Sequence, residues 1–164
     1  MQALTDKTFG QFDPSLAYYH RTGAYLVIVR DGLVAAIEHR LGYLLPGGGI
    51  EGEETHEECL LRECLEEIGY DVRVDELITS ADAWDIHPKV GPFHPIQYYY
   101  SGELLDQYAE CGLDGTTLCW VPVDDLAVPM QRYAVQTYLS RETSAAALSF
   151  IDGRHHILDG PISN

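Results

Sequence analysis

A run of glycines at residues 47–49 opens almost directly into a helical segment with two kinds of face, and this junction constrains the chain more than any other part of it. Leu44-Leu45 is a short apolar stub stopped by Pro46, and Gly47-Gly48-Gly49 follows. From Thr55 to Ile68 the pattern switches to a helical period. Thr55 and Glu58 make a capping box, and Gly69 is a natural residue to end the helix in the left-handed conformation. At about 100° per residue, Leu61, Cys64, Leu65 and Ile68 share one arc, a stripe expected to face the core. Glu63, Glu66 and Glu67 share an arc on the opposite side, with Arg62 beside it.

Three carboxylates crowded beside one arginine can be an ordinary acidic outer face, because exposed like-charge pairs on a helix cost only about 0.2–0.5 kcal/mol each. They are also the ligand set that Mg²⁺ or Mn²⁺ prefers, since both ions take hard oxygen donors. The residues alone leave both open. The glycines satisfy the letters of the dinucleotide fingerprint G-x-G-x-x-G from Gly47 to Gly52. That fingerprint seats a pyrophosphate at a helix N-terminus, whereas Glu51, Glu53, Glu54, Glu57 and Glu58 surround this helix start and would repel it. The preceding strand is only a stub ending in proline, so a dinucleotide fold is rejected.

The segment from Gly48 to Tyr70 resembles the signature of the Nudix (MutT-like) hydrolases: a Gly, five residues, a Glu, seven residues, then Arg-Glu-apolar-x-Glu-Glu-x-Gly-apolar. Gly48, Glu54, Arg62, Glu63, Glu66, Glu67 and Gly69 fill the seven fixed positions, and Cys64 and Tyr70 take the apolar ones. The likeness is weaker outside this box. It extends to a strand pair before it and to Trp120–Leu126 before a terminal helix.

The resemblance implies an α+β fold, an αβα sandwich with a mixed central sheet between helices. It implies hydrolysis of a diphosphate linkage in a nucleoside diphosphate derivative, of nucleoside triphosphate or nucleotide-sugar type, by water activated with Mg²⁺ or Mn²⁺. Carried over residue by residue, Glu63, Glu66, Glu67 and the carbonyl of Gly47 would hold the metal, and Arg62 would orient the carboxylates. Gly48, Glu54 and Gly69 would be structural or outer-shell positions. Glu63 is the expected base, with Glu110 and Asp114 in a later loop as alternatives. His39 and Arg40 are candidate cations for the remaining phosphates. A non-catalytic Nudix-like module that binds a nucleotide to regulate something else is the alternative, although no box carboxylate is missing.

Elsewhere the chain reads as one domain over residues 1–142 with an extension over 143–164. Ala24–Arg30 and Leu33–Glu38 form a hairpin about Asp31-Gly32. Val72–Asp85 and Ile96–Gly102 are expected strands, separated by a loop holding Pro88, Gly91, Pro92 and Pro95. Cys119–Val121 is a further short strand, and Met130–Leu139 has apolar residues at helical spacing. Ser149–Leu158 carries an Asp-Gly turn between β-formers and is expected to be a small hairpin or a tail. Adjacent His155 and His156 on a strand would point to opposite faces and make no ligand pair. Tyr98, Tyr99 and Tyr100 cannot share one strand face, so packing explains most of them. The four cysteines show no Cys-x-x-Cys or zinc spacing and are expected to be buried free thiols.

With 26 acidic residues against 10 Lys and Arg, the formal net charge is −16. That balance argues against a partner that presents a nucleic-acid backbone or an anionic membrane surface. No apolar run approaches the roughly 20 residues of a membrane span, and the N-terminal residues lack a signal-peptide core. The expectation is a cytoplasmic protein whose partner is a small nucleotide, with a homodimer allowed. Eight of the acids and one arginine lie between Gly48 and Tyr70. Polyphosphates should therefore be repelled unless a divalent cation accompanies them.

Overall fold

The computed structural model describes residues 5–158, with side chains through residue 146. Its strands are β1 (Lys7–Gly10), β2 (Tyr19–Val27), β3 (Val29–Arg30), β4 (Leu33–His39), β5 (Gly42–Leu44), β6 (Gly47–Gly49), β7 (Tyr70–His87), β8 (Gly91–Gln107) and β9 (Leu118–Val121). The helices are α1 (His56–Ile68) and α2 (Pro129–Leu158), with a single 3₁₀ turn at Val123–Asp125.

Five strands build a mixed sheet in the order β1-β7-β8-β2-β6. β1 runs parallel to β7 and β2 parallel to β8, while the β7–β8 and β2–β6 pairs are antiparallel. A smaller sheet joins β3 and β5 to β4, which also pairs with β9. Each face of the larger sheet carries its own core. Ala24, Leu26 and Ile28 pack with Cys59, Leu60, Cys64 and Ile68 of α1. Tyr25, Val27, Ala81 and Tyr99 pack with Met130, Ala134 and Val135 of α2. A two-residue alternation on the strands thus buries both faces, and the expected mixed sheet between helices is the observed architecture.

The local signals hold where they rest on backbone chemistry. Asp31 (φ 53°) and Gly32 (φ 78°) both take the left-handed region that a tight hairpin turn requires, and Val29 pairs with Val34 across it. At α1 the Thr55 hydroxyl accepts the Glu58 amide at 3.1 Å and the Glu58 carboxylate accepts the Thr55 amide at 3.1 Å. Gly69 (φ 72°) closes the helix by donating its amide to the Cys64 carbonyl at 3.0 Å.

Four expectations fail. Leu65 is exposed and Leu61 only partly buried, while Cys59 and Leu60 are buried. α1 is therefore rolled so that Glu67 lies within its sheet-facing arc rather than opposite it. The expected loop between β7 and β8 shrinks to a turn at residues 88–90, and Pro92 and Pro95 lie within β8. α2 continues to Leu158, so the segment about Asp152-Gly153 is helical rather than a hairpin or tail, and residue 142 lies inside the helix. The side chains of His155 and His156 fall outside the described ones. Cys59 and Cys64 are buried and all four thiols are free, but Cys111 is exposed. Among the described residues, no helix is long and apolar enough to cross a membrane.

Candidate active site

The glycine strand β6 explains the roll of α1. A Cβ on Gly48 would stand 2.6 Å from Oε1 of Glu63, so the missing side chain leaves the room that the Glu63 carboxylate uses. Gly47 takes φ +143°, where a Cβ would run into the Ala24 carbonyl and the Tyr25 backbone. Its amide instead donates to Glu67 Oε1 at 2.8 Å. Two helix carboxylates are thereby turned against a strand that has only backbone to show.

Arg62 gathers the rest. Its Nε and Nη2 form a fork on Glu54 at 2.6 and 2.9 Å, and Nη2 also donates to the Gly49 carbonyl at 3.1 Å. Nη1 donates to Glu63 at 2.9 Å and to Glu66 at 3.2 Å. Hydrogen bonds from Arg62, aided by the Glu51 amide, lower the Glu54 carboxyl to about 2. Burial raises the Glu63 carboxyl against the pull of Arg62. Burial also pushes Glu67 up to about 8; the Gly47 amide opposes this, and the charges of Glu63, Asp114 and Glu66 add to it. The cluster holds more negative charge than its own cation compensates.

The loop after β8 wraps the C-terminal end of α1. Asp114 donates its amide to the Glu66 carbonyl at 3.0 Å, and the Thr116 hydroxyl donates to the Glu67 carbonyl at 2.5 Å. These bonds satisfy end-of-helix carbonyls and bring Asp114 within electrostatic reach of Glu67. Glu110 is exposed in the same loop and makes no bond to the cluster. His39 and Arg40 do not join the site either. They lie exposed at the β4–β5 turn, where His39 Nδ1 accepts the Leu41 amide at 3.3 Å.

Arg21 was missed as a site residue. It sits on β2, and its guanidinium lies 2.7 Å from where a Gly49 Cβ would stand, close enough for its charge to lower Glu63. Only the pairing of Gly23 with Gly49 discloses that position, because β2 and β6 are far apart in sequence. Arg21 also lines a cavity of about 480 Å³ between the large sheet and the start of α2. Phe9, Tyr25 and Phe93 give that cavity aromatic walls, and Gln97 and Gln131 supply amides. Gln131 Oε1 accepts the buried Leu45 amide at 2.8 Å, and Gln97 accepts the Tyr99 hydroxyl.

A NUDIX domain model matches residues 19–141. The chain belongs to the Nudix family. Several solved Nudix structures share its fold. A Nudix hydrolase from Nitrosomonas europaea superposes with a TM-score of 0.61 at 19% identity, covering 74% of this chain and 90% of that one. A UDP-X diphosphatase gives 0.58 at 20% identity, covering 78% and 68%. An ADP-ribose pyrophosphatase from Streptococcus suis gives 0.55 at 15% identity, covering 74% and 91%. No curated protein sequence matches the chain. On this Nudix fold the box residues Glu54, Arg62, Glu63, Glu66 and Glu67 are gathered at one edge of the sheet.

The donor set suits a hard divalent cation. Every group is an oxygen, the cluster carries excess negative charge, and Glu67 is held in place by a backbone amide. Among the described residues, no three His, Cys, Asp or Glu side chains already close on one point at ligand spacing. Arg62 holds Glu63 and Glu66, and Gly47 holds Glu67.

Proposed function

We propose that this Nudix protein hydrolyses a diphosphate linkage in a nucleoside diphosphate derivative, with Mg²⁺ or Mn²⁺ held by Glu63, Glu66, Glu67 and the carbonyl of Gly47. The observation that carries this is the juxtaposition of an under-compensated carboxylate cluster with an arginine-edged, aromatic-walled cavity. When bound, the ion would neutralise non-bridging phosphate oxygens and polarise phosphorus. Arg62 orients the carboxylates. Arg21, between the cluster and the cavity, draws a phosphate oxygen toward Glu63 and away from the acidic helix start. The cavity seats the nucleoside end. Glu63 takes a proton from the attacking water, a role open to a carboxylate that also ligates the ion. Asp114 is the alternative base because the loop carries it to Glu67, whereas Glu110 has no such link. A cytoplasmic setting supplies both nucleotides and Mg²⁺.

The names of two structural neighbours, a UDP-X diphosphatase and an ADP-ribose pyrophosphatase, support testing nucleotide sugars beside triphosphates. The experiment is a nucleotide panel with Mg²⁺ and product identification. The expected product is a nucleoside monophosphate with pyrophosphate or a phosphorylated remainder. Binding without turnover across the panel would overturn hydrolysis in favour of a regulatory module. Undiminished activity in both Glu66→Gln and Glu67→Gln would overturn the metal assignment.

A further inference from the structure

On the α1 side of the sheet, away from the carboxylate cluster, three polar side chains form an uninterrupted hydrogen-bonded row. Asp82 is 6% exposed and His94 8% exposed. Oδ1 of Asp82 accepts the hydroxyls of Thr5 and Thr8, each at 2.7 Å, and Oδ2 lies 2.7 Å from His94 Nε2. His94 Nδ1 in turn lies 2.7 Å from Nδ1 of the exposed His20. Trp84 stacks flat on His94, with centroids 3.7 Å apart and planes 6° apart, and Phe12 and Tyr18 pack on the same indole. Burial alone would raise the Asp82 carboxyl, but the bonds from His94, Thr5 and Thr8 outweigh it and hold it below the usual carboxylate range.

We infer that Asp82, His94 and His20 form a proton-operated latch that clamps the start of β2 near neutral pH and lets it go when both imidazoles are protonated. With Asp82 ionised, His94 donates from Nε2 to it, so its Nδ1 is a lone-pair acceptor for the Nδ1 hydrogen of His20. One further proton can bind at His20 Nε2 with every bond kept. A second would put hydrogens on both facing Nδ1 atoms, and that contact must open. His94 stays with Asp82, since the pair becomes ionic, and exposed His20 is the partner that leaves.

The consequence reaches the opposite face of the strand. His20 and Arg21 are neighbours on β2, and alternation sends Arg21 into the cavity while His20 is latched. Release therefore loosens residues 11–20 and the strand end that places Arg21. The other titratable groups nearby cannot substitute for the latch. Asp13 is engaged by Ser15, and its amide binds the Tyr18 hydroxyl. The Lys7 ammonium lies over Phe9, and His56 of α1 is engaged by Tyr98 and Tyr100. Asp6 is bonded to Thr79, and Tyr19 stacks on Phe93.

Hydrogen exchange of the full chain tests this without reference to catalysis. Between about pH 8 and about pH 5, after correction for intrinsic exchange, protection of the 11–20 peptide should fall about tenfold or more relative to β4. The variant His20→Gln keeps a donor for His94 that does not titrate, so its profile should stay flat. A flat wild-type profile, or the same fall in His20→Gln, overturns the latch. Should that variant not fold, NMR titration of the wild-type imidazoles decides. Two of the seven histidines should share one hydrogen between their Nδ1 atoms at about pH 8 and have lost that bond at about pH 5. No such bond at the higher pH, or one kept at the lower, refutes it.

Discussion

Replacing Glu67 by Gln should stabilise the metal-free protein while removing its response to Mg²⁺. Gln keeps the size of the side chain and the oxygen that accepts the Gly47 amide at 2.8 Å, so the change removes charge and little else. Burial, with neighbouring Glu63, Asp114 and Glu66, pushes the Glu67 carboxyl from the ordinary 4.5 up to about 8. The folded state thus binds this proton more tightly than the unfolded chain. Its contribution is most favourable below the ordinary value, declines as pH rises through the window up to about 8, and is flat beyond it. At about 1.4 kcal/mol per tenfold in proton affinity, the displacement has a ceiling of about 5 kcal/mol. The side chain keeps some contact with water, and screening reduces this to about 2 kcal/mol. For a chain of this size that is roughly 4–8 °C in melting midpoint. Thermal unfolding in chelator at about pH 8.5 should therefore place Glu67→Gln above wild type, with the gap closing toward about pH 5. Saturating Mg²⁺ should raise wild type and leave the variant nearly unmoved. Equal midpoints in chelator at the higher pH, or equal Mg²⁺ responses, would refute the account of Glu67 as a charge held for a cation.

Arg62→Lys removes the fork on Glu54 and cannot span Glu54, Glu63 and Glu66 together, so kcat/KM should fall about tenfold to a hundredfold, measured on whichever panel substrate is turned over. Gly48→Ala drives a methyl into the Glu63 carboxylate and should weaken Mg²⁺ binding in calorimetry by about tenfold or more; unchanged affinity would dissociate β6 from the site. Asp114→Asn should alter the pH–rate profile if Asp114 is the base, whereas Glu110→Gln should leave kcat and the profile unchanged. Binding of a nucleoside diphosphate derivative, followed by calorimetry, should collapse when the divalent ion is chelated, because the acidic box then faces the phosphates bare.

Much of this protein was legible from its residues. The Asp31-Gly32 turn, the Thr55–Glu58 capping box and the Gly69 stop depend on backbone conformation and bonds between near neighbours, so sequence carries them directly. The box supplied the family and the gathered carboxylates. Its orientation was not legible, because helical periodicity cannot say which of two competing arcs meets the sheet. Cys64 and Ile68 fit both arcs, and the choice between Leu65 and Leu60 was made by β6. The loop expected around Pro88–Pro95 failed similarly: pairing of β8 with β2 and β7 on both sides overrode the usual exclusion of proline.

What the sequence by itself determined is the chemistry available at one segment, namely oxygen ligands, an arginine to order them and glycines that yield space. Tertiary structure alone decided that Glu63 and Glu67 turn inward against a bare strand, that Arg21 reaches them from β2, and that His20, His94 and Asp82 meet across three strands. Those are relations between residues 12–74 positions apart in the chain, set by sheet pairing, and pairing depends on the whole fold closing over two cores at once.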